Sequence, residues 1–283
     1  MNPWLETTGV VQIALLGIIF GRVFEGFKKP YRALGYFLPL LLIAILVLVR
    51  YNCALHFVPP FSWIAMGRTR FIVLSFAITM GLTTPLARLP RKWEKVAICI
   101  LMGMSVTWFS VLPFLMPALI KNDLSNLRTR LDSNGTCFQT TSFTCGPAAA
   151  VTALRKLGLP ANEGEIAVLS HSSPVAGTLL LCLSKALQNR YAADGLECRY
   201  RPFDSIAQLK DAGITLVVVR DTFLLDHCVA VLEVSDQTIT VADPVAGRKF
   251  MSHKQFGKIW RFSGIVLKRD CALTGRDAAT QDI

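Results

Sequence analysis

The sequence predicts a two-part fold: a multi-span α-helical membrane region, then an α+β domain whose leading helices pack on an antiparallel sheet. Three observations predict it. The 283 residues are 52% hydrophobic and only 17% charged, with a mean hydropathy of +0.45; soluble domains carry about 25% charged residues. The apolar excess is concentrated before residue 121. Beyond residue 136, Ala- and Leu-rich helical stretches give way to short Val-rich runs bounded by turn signals.

Four apolar segments stand out in residues 1–121: Val10–Phe24, Ala33–Val49, Phe71–Ala87 and Val96–Ile120. A spanning helix needs about 20 mostly apolar residues. The fourth segment is long enough outright. The second and third are near the lower limit and carry no charge. The first contains Arg22, with Glu6 just before it. A start near Pro3 gives it length, with Trp4 at an interface and Arg22 snorkelling. A cleaved signal peptide is the rival reading, but no Lys or Arg precedes the apolar run. Four spans are expected, with three as the alternative. Tyr51–Met66, holding His56, Pro59-Pro60 and Trp63, is too broken to span and reads as interfacial.

Orientation follows the lysine and arginine bias of short loops. Arg22, Lys28, Lys29, Arg32, Arg88, Arg91, Lys92 and Lys95 fall on one side. Arg50, Arg68, Arg70, Lys121, Arg128 and Arg130 fall on the other. Eight against six favours both termini outside the cytoplasm, in a bacterial inner membrane. The net charge of +11 is then largely topological and meets lipid. No zinc-finger or RNA-recognition pattern accompanies it, so nucleic acid is not an expected partner.

Lys121–Ser133 places Leu124, Leu127 and Leu131 at helical spacing, so residues 122–135 read as an amphipathic connector ending at Asn134-Gly135. The domain occupies residues 136–270, and 271–283 read as a disordered tail. Helices are expected over Ala148–Leu157, stopped by Gly158, then Glu163–Ser170, Thr178–Arg190 and Asp204–Ala212. Thr144 or Ser142 is the expected cap of the first. Strands are expected over Leu196–Arg201, Ile214–Arg220, His227–Val234, Thr238–Ala242 and Gly264–Leu267, with Ser235-Asp236 joining two as a hairpin.

The chemistry concentrates in Gln139-Thr-Thr-Ser-Phe-Thr-Cys145-Gly146-Pro147. It sets a thiol at a helix start, where the helix end favours a thiolate. His227 heads one strand and Asp243 ends the next, so a hairpin brings them to one sheet edge. Taken singly, each residue has a structural reading: a small buried thiol, a strand-end histidine, a turn aspartate before proline. Together they form the inventory of a papain-like peptidase: nucleophile, base, orienting carboxylate, and Gln139 for the oxyanion. His171 reads as a loop residue.

The stretch from about Thr136 to Arg269 resembles the double-glycine leader peptidases, the papain-like domain fused to peptide-exporting transporters. The matching pieces are Gln139-x5-Cys145-Gly146-Pro147-Ala148, Gly177-Thr178, Asp226-His227-x-Val-Ala-Val-Leu, Ala242-Asp243-Pro244-x-x-Gly247, and Ser252-x3-Phe256-x3-Trp260. The resemblance implies Cys145 as nucleophile, His227 as base, Asp243 orienting it and Gln139 in the oxyanion hole, with cleavage after small residues such as Gly-Gly. Thr144 departs from the acidic residue many members carry before the cysteine.

The function expected is a membrane-anchored cysteine endopeptidase acting on a peptide or protein precursor. An acyl or amide transferase, a deamidase, and a non-catalytic peptide-binding accessory of an exporter are the alternatives. Expected partners are the precursor, the lipid bilayer and a separate exporter, since no Walker-type phosphate loop is present. No cofactor and no metal are expected, because none of the eight cysteines forms a CxxC pair. In an oxidising compartment a bridge involving Cys137 or Cys198 is expected.

Overall fold

The computed structural model describes residues 3–222 and 225–270. The chain divides into two compact units after Leu119. The first is helical: α1 Pro3–Gly26, α2 Leu34–Tyr51, α3 Phe61–Ala65, α4 Thr69–Thr83 and α5 Lys92–Val106. A π turn at Thr107–Val111 continues α5 into α6, Leu112–Leu119. Among the described residues, three stretches are long and apolar enough to cross a membrane: Pro3–Gly26, Tyr31–Tyr51 and Lys92–Leu119. The third expected span forms a shorter apolar helix, the 15-residue α4. Glu6, placed before the first apolar segment by sequence, lies within α1.

α1 and α4 run parallel in close contact. Arg68 pairs with Glu6 at their leading ends. Gly17 and Gly21 of α1 press on α4, where an added Cβ would lie 2.9 Å from the carbonyl oxygens of Phe76 and Met80 respectively. Small residues spaced four apart let apolar helices approach this closely. Thr79 and Thr83 fill the facing stripe and are buried.

The second unit begins with α7, Lys121–Ser125. The connector helix expected over Lys121–Ser133 stops there. Leu124 is buried but Leu131 is exposed, so no apolar stripe continues. Instead β1 (Arg130–Leu131) pairs antiparallel with β2 (Cys137–Phe138). The turn between them is closed by Asp132, whose carboxyl accepts from Asn134 N at 2.8 Å and Thr136 N at 2.7 Å. Short polar side chains that bond nearby backbone compete with helix in this way.

Next come α8 Cys145–Lys156, α9 Glu163–Leu169, α10 Leu180–Tyr191, β3 Leu196–Pro202, α11 Ile206–Ala212, β4 Thr215–Arg220, β5 Asp226–Val234, β6 Thr238–Asp243, β7 Gly247–Ser252, α12 His253–Ile259 and β8 Trp260–Arg269. Six strands form one sheet in the order β3-β8-β4-β5-β6-β7, every neighbour antiparallel. This is the α+β architecture expected from sequence, with β7 and α12 added. The polar run Gly247-Arg-Lys-Phe-Met-Ser252 hid β7, an edge strand with Arg248, Lys249 and Phe250 exposed.

Strand alternation gives the sheet two apolar faces. Ala148, Ala149, Ala153 and Leu154 of α8 join Leu183 and Leu187 of α10 over Leu216, Ala230, Ala242 and Ile265. Leu209 of α11 and Phe256 of α12 join Val217, Val229, Val231, Val241 and Trp260 on the other. Alanines on α8 bring its axis close to the sheet, which fixes where Cys145 sits. Thr144 occupies the N-cap position, yet its hydroxyl donates to Thr141 O at 3.1 Å instead of capping. Cys137 and Cys198, the candidates for a bridge, are both free thiols; burial pushes each up to about 12. Cys271 and the expected tail 271–283 lie outside the described residues.

Candidate active site

Cys145 is the first residue of α8 and is partly buried. Backbone N–H groups at a helix start have no intrahelical acceptor and favour negative charge there. His227 is the second residue of β5, and Asp243 is the last of β6. The register Ala230–Ala242 sets Asp243 diagonally across from His227 on one face. His227 Nε2 lies 2.9 Å from Asp243 Oδ1. An ionised carboxylate only accepts, so Nε2 carries the proton of this bond. The other ring nitrogen is left for the thiol, and the ring bonds Cys145.

Electrostatics follow from that geometry. Burial alone would lower the His227 pKa, but hydrogen bonds to Asp243 and Cys145 outweigh it and raise it to about 9. Burial would raise Asp243. The bonds from His227, Lys249 and Val245 N instead hold it well below the usual carboxylate range. Cys228, next to His227, is pushed up by burial first and by nearby Cys145 second. The arrangement can therefore keep an imidazolium beside the Cys145 sulfur through neutral pH, the state that sustains a nucleophilic thiolate.

Gln139 follows β2, held by its backbone. Its N–H donates to Pro244 O at 2.9 Å, tying it to the loop after Asp243. Its carbonyl accepts from Arg130 Nη2 at 3.3 Å. Thr140 donates its N–H and hydroxyl to the two carboxyl oxygens of Glu163, at 2.8 and 2.7 Å. Glu163 is fully buried. Gln139 Oε1 is itself buried and has no hydrogen-bond partner among the described residues. A cavity of about 460 Å³ adjoins this junction, lined by Arg130, Gln139, Thr140, Thr141, Ser142 and Val245 among others.

The structure thus gathers Cys145, His227 and Asp243 into one hydrogen-bonded chain and fixes Gln139 against the Asp243 loop. His56 lies in a 3-10 turn of the helical unit, and His171 sits just past α9 with φ 55°. Sequence reasoning missed three supporting groups. Glu163 read as an ordinary acidic helix start. Lys249 gave no signal in a polar strand. Arg261 grips Asp226, the residue before His227, at 2.8 and 3.0 Å. Its only trace in sequence is the aromatic run Trp260-Arg-Phe262, where the β4–β8 register shifts.

A family model described as the Peptidase C39 family matches residues 134–272. An uncharacterized protein of Methanothermobacter marburgensis is 32% identical over 132 residues, covering 47% of this chain and 87% of that protein. A probable functional amyloid protease, FapD, of Pseudomonas aeruginosa is 28% identical over 135 residues, covering 45% of this chain and 57% of its own length. Among solved structures, the peptidase domain of Streptococcus ComA, a bifunctional ABC transporter, aligns with TM-score 0.42 at 22% identity, over 47% of this chain and 96% of that one. A double glycine motif protease from an AMS/PCAT transporter, solved with its leader peptide, aligns with TM-score 0.41 at 17% identity, over 51% and 96%. The family match defines a cysteine peptidase. The chain belongs to the Peptidase C39 family.

Proposed function

We propose that the chain is a membrane-anchored cysteine endopeptidase that cleaves a peptide or protein precursor, and that Cys145, His227, Asp243 and Gln139 carry the reaction. The observation that carries this reading is the 2.9 Å bond from His227 to Asp243, which spends one ring nitrogen on the carboxylate and leaves the other for the thiol. His227 takes the Cys145 proton, and Asp243 holds the ring in the required tautomer. The thiolate attacks the scissile carbonyl. The Cys145 backbone N–H and the Gln139 carboxamide stabilise the oxyanion. The imidazolium then protonates the departing amine, leaving a thioester that water hydrolyses with His227 again as base. Family membership supports a precursor cut after a Gly-Gly leader, delivered to or from a separate exporter.

The anchoring reading rests on the three long apolar helices and on α4. Because α4 lies parallel to α1, with Gly17 and Gly21 seated on it, both run through the bilayer in the same direction. Four crossings then return the chain at Leu119 to the side where Pro3 begins. With eight positive charges against six in the loops, that side is extracytoplasmic. Full-length protein reconstituted in lipid tests the chemistry: it should release the leader from a Gly-Gly precursor, and Cys145→Ala should not. Alkaline phosphatase fused after Arg269 should be active, and fused within 88–95 inactive. The reverse pattern would put cleavage on the cytoplasmic face.

A further inference from the structure

We propose that Lys249 is a positioning residue for the His227–Asp243 pair, clamping the carboxylate so that one oxygen stays aimed at the imidazole. The inference rests on the reading of Asp243 as the residue that orients His227. Lys249 Nζ lies 2.8 Å from Asp243 Oδ2. The other oxygen, Oδ1, takes His227 Nε2 and Val245 N, each at 2.9 Å. The two carboxylate oxygens are thus committed to different partners, and turning the group would break three bonds at once.

The topology explains why the lysine reaches. β7 pairs with β6 in the register Val241–Lys249 and Asp243–Gly247, so Lys249 and Asp243 are diagonal neighbours on one face. Asp243 is gripped from β5 on one side and from β7 on the other. Its side chain is 12% exposed, while that of Lys249 is 47% exposed. The cation reaches in from the edge of the sheet. Other charged or titratable groups surround the position: Cys145 at the head of α8, and Arg130 and Asp132 on the β1–β2 hairpin, where Asp132 Oδ2 approaches Gly247. The charged partners bonded to Asp243 itself are His227 and Lys249.

A cation here does two things. It keeps the carboxylate ionised and oriented, and it offsets part of the pull that Asp243 exerts on the imidazolium. The second effect separates positioning from mere support of the β6–β7 pairing. Removing the charge leaves Asp243 to act on His227 alone, so the imidazolium should hold its proton to higher pH than its present value of about 9. A lysine that only stabilised the sheet would leave that titration where it is.

The test uses full-length protein in detergent with isotope-labelled histidine, read by NMR, and a fluorogenic peptide carrying Gly-Gly before the reporter amine. The chain has four histidines, so His227→Ala assigns the signal. Lys249→Met is expected to move the His227 titration upward and lower kcat roughly two- to fivefold at neutral pH with KM unchanged, the size a half-exposed ion pair supports. Lys249→Arg should restore both. Lys249→Gln, which keeps a donor without the charge, should show the same titration shift if Lys249→Met fails to fold. A His227 titration unmoved in the uncharged variants overturns the proposal whatever the rates. Cys145→Ala is the control for the reading beneath it. If that variant still cleaves, the catalytic assignment fails. If it is inactive while Lys249→Met matches the parent, only the role of Lys249 falls.

Discussion

The two units use the same apolar residues in opposite ways. In the helical unit, Phe37, Leu40 and Met104 face outward, each more than half exposed, while Ser75, Thr79 and Thr83 are buried. In the peptidase unit, Leu, Val and Phe fill both faces of the sheet, and the lysines and most of the arginines lie outside. A bundle surrounded by hydrocarbon gains nothing by hiding leucine; it gains from close approach of small residues. A domain in water gains from burying apolar area. The buried polar groups differ as well. Those of the helical unit are all hydroxyls; Thr79 and Thr84 bond their own helix, and Thr83 reaches Met102 Sδ on a neighbouring one. Those of the peptidase unit add three charged side chains, Glu163, Asp243 and Arg261, to a set of hydroxyls.

The difference locates function in the second unit, and the largest predicted effect tests that. Cys145→Ala and His227→Ala should each lower peptide hydrolysis by about 10⁴-fold or more, as removal of a nucleophile or its base does in triad enzymes. Their thermal unfolding should stay near that of the parent. Asp243→Asn should retain more activity than either, because it orients without reacting. Cleavage by Cys145→Ala at the parental rate would break the comparison outright.

The next effect is a pH dependence confined to the peptidase unit. His227 is raised from 6.5 to about 9, so its pairing stabilises the fold fully below about 6.5 and is lost as pH rises through about 9. Asp243 is lowered from 3.8, so its share is present above about 4 and is lost as pH falls through the depressed folded value. Stability from this pair is therefore greatest between about 4 and 6.5. Activity needs the imidazolium to protonate the leaving amine. It should fall about tenfold per pH unit above 9, while iodoacetamide labelling of Cys145 persists there. Labelling that collapses with activity would argue against His227 as the group whose titration sets the loss.

How far the sequence reaches depends on whether a feature is local. The spacing of Gln139, Cys145, His227 and Asp243 was legible because each falls at an element boundary that a periodicity or a turn marks. Four of the domain's helices and the five expected strands match observed ones within a few residues. β7 was not legible, because an exposed edge strand has no buried face to impose alternation. The connector failed for the opposite reason: three leucines matched a helical period that turn bonds from Asp132 overrode. Lys249, Glu163 and the Arg261–Asp226 pair act across gaps of 6 to 35 residues, and no spacing rule links such partners before the sheet register is known.

A smaller effect sharpens the comparison from the helical side. Gly17→Leu would drive a side chain into the Thr79 hydroxyl and the Phe76 carbonyl. Overpacking of this kind costs about 1–3 kcal/mol. The helical unit should lose thermal stability in detergent, with kcat on a short soluble peptide unchanged. A matching drop in kcat would show that the catalytic edge depends on the packing of α1 and α4, and would end the separation of roles between the units.

The smallest effect concerns Glu163, a buried polar group that serves the site from a distance. Its two carboxyl oxygens take the N–H and the hydroxyl of Thr140, and its own N–H donates to Thr129 Oγ1 at 2.9 Å. Thr140 is adjacent to Gln139, so the carboxyl fixes the backbone from which the proposed oxyanion donor extends. Glu163→Gln keeps the volume and one acceptor. The Thr140 hydroxyl can rotate to accept from the new amide, while its N–H still needs the remaining oxygen. The expected loss is about 1 kcal/mol of stability, the net worth of one hydrogen bond. Glu163→Ala leaves the Thr140 N–H without its acceptor and should cost about 1–3 kcal/mol. In both variants kcat should fall with KM unchanged, since a loosened Gln139 weakens a contact made in the transition state rather than with bound substrate. Chemical denaturation and steady-state kinetics on one preparation measure the two losses together. A stability loss with kcat intact would make Glu163 a brace for α9 alone and leave Gln139 to be positioned by Pro244.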